Sequence, residues 1–224
     1  GVNIQYKEQL KPNGLPEAFI LGEKFIQKSN VALILGDNFF YAQSLTKNLR
    51  KNLKLKSGAT VYLHPVKNPK LYGIATVDKN NKIIKLNEKP KSANSNLAVT
   101  GLYFFDNKVI EFSKKLKPSK RKELEIIDLL KIYNKKRKLK AEFLGRGGAW
   151  LDAGSIDDYY DATSFVSTIE KRQGFKIACL EEIALRNKWI TKNKLSKSLS
   201  KIPECEYKDY LKLLINEKNP IHRK

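Results

Sequence analysis

The chain has 224 residues, 41% of them hydrophobic and 10% aromatic, enough to close one sizeable core and too apolar for a disordered chain. Forty-four Lys and Arg against 23 Asp and Glu leave a net charge of +21. The lysines are spread through every segment and not gathered into one tract, which favours a basic solvated surface over a dedicated nucleic-acid groove. No apolar run approaches bilayer length and no secretory-type opening is visible, so a soluble, cytoplasmic protein is expected. Cys179 and Cys205 make neither a metal cluster nor a disulfide framework, and His64 and His222 stand far apart without a ligand pattern.

In chain order, Val2 to Tyr6 alternates weakly and reads as a short strand. The chain has no Met and begins abruptly in that strand, from which an amino-terminal truncation is expected. Pro12, Asn13 and Gly14 form a turn, and Pro16 suits the first turn of a helix running to about Lys28. VALILGDNFF, from Val31 to Phe40, reads as a strand buried on both faces that stops at Gly36 and sets Asp37 and Asn38 at its carboxyl end. A carboxylate on that edge of an α/β sheet can hold a hard cation against a phosphate, although Asp37 and Asn38 taken alone also read as a polar turn.

A linker leads into a helix from about Leu45 to Leu55, followed by a strand from Ala59 to Val66. Leu71 to Val77 and Lys82 to Leu86 read as a hairpin that delivers Asn87-Glu88-Lys89-Pro90, two opposite charges at a forced bend. Asn96 to Phe105 is a core strand broken by Gly101, where a ligand could approach the backbone. Helices are expected at Asn107 to Leu116 and Glu123 to Lys135, then a strand from Leu139 to Leu144. The glycine-rich RGGAWLDAG reads as a loop carrying Trp150 and a second acidic residue, Asp152. Ser155 with Asp158 suggests a capping box, ahead of a buried stripe of Tyr159, Ala162, Phe165, Val166 and Ile169. Helices from Phe175 to Trp189 and Tyr207 to Ile215, joined by a Lys-Ser-rich connection, complete the pattern.

The segments EQLKPNGLPEAFILGE, LILGDNFFYAQ, YGIATVD, LNEKP, VTGLYFFD, ELEIIDLLKIY, LGRGGAWLDAGS and FVSTIEKRQGFKIACLEEIA, in that order, resemble the glucose-1-phosphate thymidylyltransferase family. The resemblance runs from about Ile4 to Leu214 and implies an α/β fold, a Rossmann-like mixed sheet flanked by helices. It implies one partial nucleotidyltransferase domain over residues 1–224, with 155–224 as its helical carboxyl-terminal portion. By the same resemblance, Asp37 and Asp152 hold Mg²⁺, Lys89 grips the sugar phosphate and Glu88 bonds the sugar hydroxyls. Asn38, Tyr72, Gly73, Val99 and Tyr103 fall in the substrate pocket, Gln9, Pro12 and Gly14 receive the thymidine, and Arg121 is a further basic residue on the substrate side. The implied partners are dTTP and glucose 1-phosphate, joined without a protein nucleophile to give dTDP-glucose, in an enzyme that assembles as a homotetramer. Ile177, Glu182, Ile183 and Arg186 resemble part of a regulatory nucleotide site, and an amphipathic packing helix explains them equally well.

The family's Gly-Gly-x-Gly-Thr-Arg-type phosphate loop has no counterpart in these residues. The expectation is therefore a fragment with little activity of its own. Rival readings are a nucleotidyltransferase using UTP or ATP, a basic DNA-binding protein and a catalytically silent subunit.

Overall fold

The computed structural model describes residues 2–217, so His222 lies outside the described residues. The chain divides into two compact units, residues 1–154 and 155–224. In the first, α1 (Glu17–Leu21) and α2 (Glu23–Ile26) precede β1 (Val31–Ile34), β2 (Asn38–Tyr41), α3 (Leu45–Asn52) and β3 (Ala59–Pro65). Then come β4 (Ile74–Val77), β5 (Ile83–Asn87), β6 (Leu97–Phe105), α4 (Lys108–Lys114), α5 (Ile126–Lys135), β7 (Leu139–Phe143) and β8 (Ala149–Asp152).

Six strands form a mixed sheet in the order β5-β4-β6-β3-β7, with β1 also paired to β6. Only the β3–β7 pairing is parallel among those described. The continuous apolar character of β3 and β6 follows from cores on both sheet faces. Val61, Leu63, Val99, Tyr103 and Phe105 join one core with Phe19, Ile110 and Ile127. Tyr62, Ala98, Leu102 and Phe104 alternate into the other, with Trp150, Leu45 and Leu49. The β3–β6 register slips where Val61 and Leu63 meet Tyr103 and Val99, so β6 bulges around Gly101.

Several expectations need correction. Val2, Ile4 and Tyr6 lie in irregular, exposed chain, because the segment finds no strand to pair with among the described residues. The helix expected from Pro16 breaks into α1 and α2 at Gly22, whose ψ of 3° leaves the helical region. β1 is not buried on both faces: Val31 and Leu33 pack on the core, whereas Ala32 is exposed and Ile34 is 60% exposed. Trp150 and Asp152 stand on strand β8, not in a loop, because β8 pairs with β2, an element hidden in the expected linker.

The second unit holds α6 (Ile156–Gln173), α7 (Leu180–Arg186), α8 (Lys192–Ser198) and α9 (Glu206–Asn216). Ser155 caps α6 by accepting from the Asp158 N–H at 3.1 Å, and Gly174 closes it in a left-handed conformation. Tyr159 is 65% exposed and leaves the expected stripe. The helix expected from Phe175 to Trp189 shortens to α7, since Glu170 accepts the Ile177 N–H and draws that segment onto the end of α6. The Lys-Ser-rich connection contains α8, whose Leu195 joins Cys179, Tyr210, Leu211 and Leu214 in a small core.

Candidate active site

β2 and β8 bring two distant carboxylates together. Their antiparallel register sets Asn38 opposite Asp152, while Asp37 immediately precedes β2 and its carbonyl accepts the Ala153 N–H at 2.8 Å. The Asn38 amide nitrogen donates to Asp37 Oδ1 at 2.9 Å and reaches Asp152 Oδ1 at 3.5 Å. A methyl group on Gly154 would lie 3.5 Å from Asp152 Oδ1 and 3.9 Å from Asp37 Oδ2, so both carboxylates border one small space.

The bulge in β6 completes this wall. Asn38 Oδ1 accepts from the Gly101 N–H at 2.9 Å and the Trp150 indole N–H at 2.7 Å. A side chain at Gly101 would strike the Asn38 oxygen at 2.4 Å. Glycine is needed there because the chain's own carboxamide fills the space that the sequence suggested for a ligand.

The opposite wall comes from the end of the β4–β5 hairpin and the segment before α5. Asp37, Asn38, Tyr72, Gly73, Glu88, Lys89, Val99, Tyr103, Arg121 and Asp152, all named from sequence, line one cavity of about 280 Å³. Gly73 sits against Ile127, whose Cδ1 would be 2.5 Å from an added methyl, and Glu88 Oε2 would be 3.3 Å from it. Lys89 has φ of +37°, a sparsely populated conformation held by its N–H donating to the Tyr72 carbonyl at 3.1 Å.

Several acids on this wall share one guanidinium. Arg121 lies 2.7 Å from Glu125, 3.3 Å from Glu88 and 3.9 Å from Glu123. Burial, reinforced by the charge of Glu125, raises the Glu88 carboxyl above its ordinary range despite the opposing pull of Arg121 and Lys89. Burial acts the same way on Glu125, but hydrogen bonds from Arg121 and Ser119 outweigh it and hold that carboxyl low. Burial also pushes the Tyr103 phenol up, so it remains a neutral hydroxyl at the cavity.

Gln9, Pro12 and Gly14 do not line the cavity. The Gln9 amide donates to Glu17 at 2.5 Å and to the Gly14 carbonyl at 3.3 Å. Gly14, at φ of +103°, lies so close to the Leu124 backbone that a methyl would meet its oxygen at 2.1 Å. In the second unit Glu182 is buried, bonds the Tyr210 hydroxyl at 2.5 Å and pairs with Arg186 at 2.5 Å. Ile183 is 40% exposed and the Ile177 N–H is held by Glu170.

Sequence reasoning passed over Glu125 and the structural roles of Trp150 and Gly101. The Glu123-Leu124-Glu125 triplet after Arg121 was the available signal for the first. Nothing local announced the others, because their partner is Asn38, more than sixty residues away.

The donor set of Asp37 and Asp152 is all oxygen, which suits a hard divalent cation. Among the described residues no group of three or more His, Cys, Asp or Glu could hold a metal ion. Two carboxylates sharing a space that opens on a cavity fit such a cation when substrate phosphate oxygens and water complete its shell.

The family described as Nucleotidyl transferase matches residues 1–169. The glucose-1-phosphate thymidylyltransferase of Neisseria meningitidis is 45% identical over 217 residues, 97% of this chain and 75% of that protein. The protein of the same name from Xanthomonas campestris is 42% identical over 96% of this chain and 72% of its own length. A Bacillus anthracis structure assigned to glucose-1-phosphate thymidylyltransferase, in complex with a sucrose, superposes with a TM-score of 0.67 at 38% identity, covering 74% of this chain and 65% of that one. A UDP-glucose pyrophosphorylase complexed with UDP-glucose gives a TM-score of 0.65 at 26% identity, over 73% of this chain and 66% of that one. The mixed sheet and this relationship agree: the chain belongs to the glucose-1-phosphate thymidylyltransferase family, enzymes of the nucleotidyltransferase class.

Proposed function

We propose that the cavity binds glucose 1-phosphate and presents it to dTTP, giving dTDP-glucose and pyrophosphate. The observation that carries this reading is the convergence of Asp37, Asp152, Glu88 and Lys89 on one cavity. A phosphate oxygen of the sugar attacks the α-phosphorus of dTTP, the bond to the β-phosphate oxygen breaks, and pyrophosphate departs. The attacking oxygen is already anionic, so no side chain acts as nucleophile and the residues contribute alignment and charge. Asp37 and Asp152 are the groups that would hold Mg²⁺, which when bound neutralises phosphate charge. Lys89 offers a compact cation to the sugar phosphate, and Glu88 accepts from sugar hydroxyls beside the neutral hydroxyl of Tyr103.

Gln9, Pro12 and Gly14 act through the turn they build against the backbone of Leu124, a residue that lines the cavity, beside the thymidine contact that the family resemblance implies. Arg121 serves by holding Glu88 and Glu125 in place. A tetrameric assembly and a cytoplasmic location belong to the same reading. No described helix is long and apolar enough to cross a membrane.

The reading is tested by calorimetric titration of glucose 1-phosphate into this chain and by pyrophosphate release with dTTP, UTP and ATP in parallel in a complete version of the protein. Sugar-phosphate binding that falls in Lys89→Ala, with dTTP preferred, is the expected result. Binding unchanged in that variant, or a preference for UTP or ATP, would contradict it.

A further inference from the structure

An asparagine between two candidate cation ligands has two ways to turn. With its oxygen toward the carboxylates it would bring a third acceptor to the cation; with its nitrogen toward them it offers a neutral donor that links the acids without ligating. Here the choice is fixed from behind. The Trp150 indole N–H at 2.7 Å and the Gly101 N–H at 2.9 Å are both donors, so the Asn38 atom facing them must be the oxygen. The nitrogen is then left facing Asp37 and Asp152.

We infer that Trp150, acting through the Asn38 carboxamide, is a positioning residue that sets the spacing of the Asp37 and Asp152 carboxylates. Three observations support the assignment. Trp150 is 9% exposed and is fixed edge-on by Tyr72, with ring centroids 5.2 Å apart, so its N–H is presented at a defined point. Gly101 lies in the β6 bulge opposite Tyr62, where its carbonyl accepts the Leu35 N–H at 3.0 Å and its own N–H donates to Asn38, so the second donor is fixed by backbone beside β1. Both Asn38 and Trp150 sit on the β2–β8 ribbon that carries Asp152, so the ladder transmits any change in the carboxamide to the acid directly. An indole in this place is thus more than packing, since an aromatic ring without an N–H would release the amide.

This inference rests on the reading of Asp37 and Asp152 as cation ligands, and the test separates the two. Mn²⁺ alone is titrated into the protein and free ion is counted by electron paramagnetic resonance, with thermal denaturation in metal-free buffer alongside. Trp150→Phe keeps an aromatic ring, though a smaller one, and removes the donor, so the melting temperature reports the lost packing separately; Gly101→Ala displaces the carboxamide from the other side. Each is expected to weaken Mn²⁺ binding about tenfold, the equivalent of one net hydrogen bond. The double variant should weaken it by less than the product of the two, because both act through the same amide. A melting temperature lowered in Trp150→Phe with wild-type Mn²⁺ affinity would overturn the inference, leaving Trp150 a packing residue. Wild-type affinity in Asp152→Asn would overturn the cation site itself, and the inference with it. A nitrogen-15 spectrum gives a second readout: the Trp150 indole N–H should be protected from solvent exchange in wild type and lose that protection in Gly101→Ala. Unchanged protection there would contradict a shared hydrogen-bonded lock.

Discussion

The two walls of the cavity treat charge in opposite ways. On the hairpin side, Glu88, Glu123 and Glu125 surround Arg121 and share one guanidinium, so each acid is partly offset by a cation of the chain itself. On the ribbon side, Asp37 and Asp152 are bridged by a neutral amide, which organises their geometry without cancelling their charge. Carboxylates compensated inside the protein can shape a pocket and hydrogen-bond a neutral sugar. Carboxylates linked through a neutral amide are held side by side, an arrangement suited to a cation brought by the substrate. The difference lies in what stands between the acids, since both walls carry the same functional group.

The largest test of this contrast is Asp152→Asn. The fold should survive, because β8 keeps its ladder to β2, while in a complete version of the protein, with its phosphate loop, pyrophosphate release falls by about 10²–10³-fold with the loss of a charge that stabilises the transition state. Lys89→Ala comes next: weaker glucose 1-phosphate binding, about tenfold to a hundredfold by calorimetry, with little change in melting temperature. Gly73→Ala should cost about 1–3 kcal/mol of stability in denaturant titration, because the methyl must push Ile127 aside, and should weaken sugar binding by crowding Glu88.

The hairpin wall also predicts a pH signature. The folded-state carboxyl of Glu88 is raised, chiefly by burial, so its contribution to stability is complete below the ordinary carboxylate value and is lost as pH rises through the raised one. Glu125 is lowered, so its contribution is present above the ordinary value and is lost as pH falls through the depressed one. Glu88→Gln should therefore flatten the loss of stability on going from mildly acidic to neutral pH, and Glu125→Gln should destabilise at neutral pH, both read from denaturation midpoints. The smallest effect is expected in the second unit, where Tyr210→Phe removes the hydroxyl bonded to buried Glu182 and should cost about 1 kcal/mol without changing glucose 1-phosphate binding.

Much of this was legible from residues alone. The strands around Ala59, Ile74, Ile83 and Leu97 announced themselves through β-branched and aromatic runs between turns, and α5 through its helical spacing. The cavity residues from Asp37 to Asp152 were named through family resemblance, and the fold gathers them. What stayed hidden depends on distant pairing. β2 looked like a linker because its partner, β8, lies more than a hundred residues further on. β1 looked doubly buried because a run of Val, Ala, Leu and Ile does not reveal that one of its faces is left open. Gly101 drew attention as a gap for a ligand, and only the folded chain shows Asn38 filling it.

The most direct measurement is anomalous diffraction from crystals grown with Mn²⁺ and glucose 1-phosphate. One peak ligated by both Asp37 and Asp152, with an oxygen of the sugar phosphate in its shell, is the predicted result. A peak bound to one carboxylate alone, or seated on the Glu88 and Glu125 side, would contradict a shared cation and remove the basis of the contrast between the two walls.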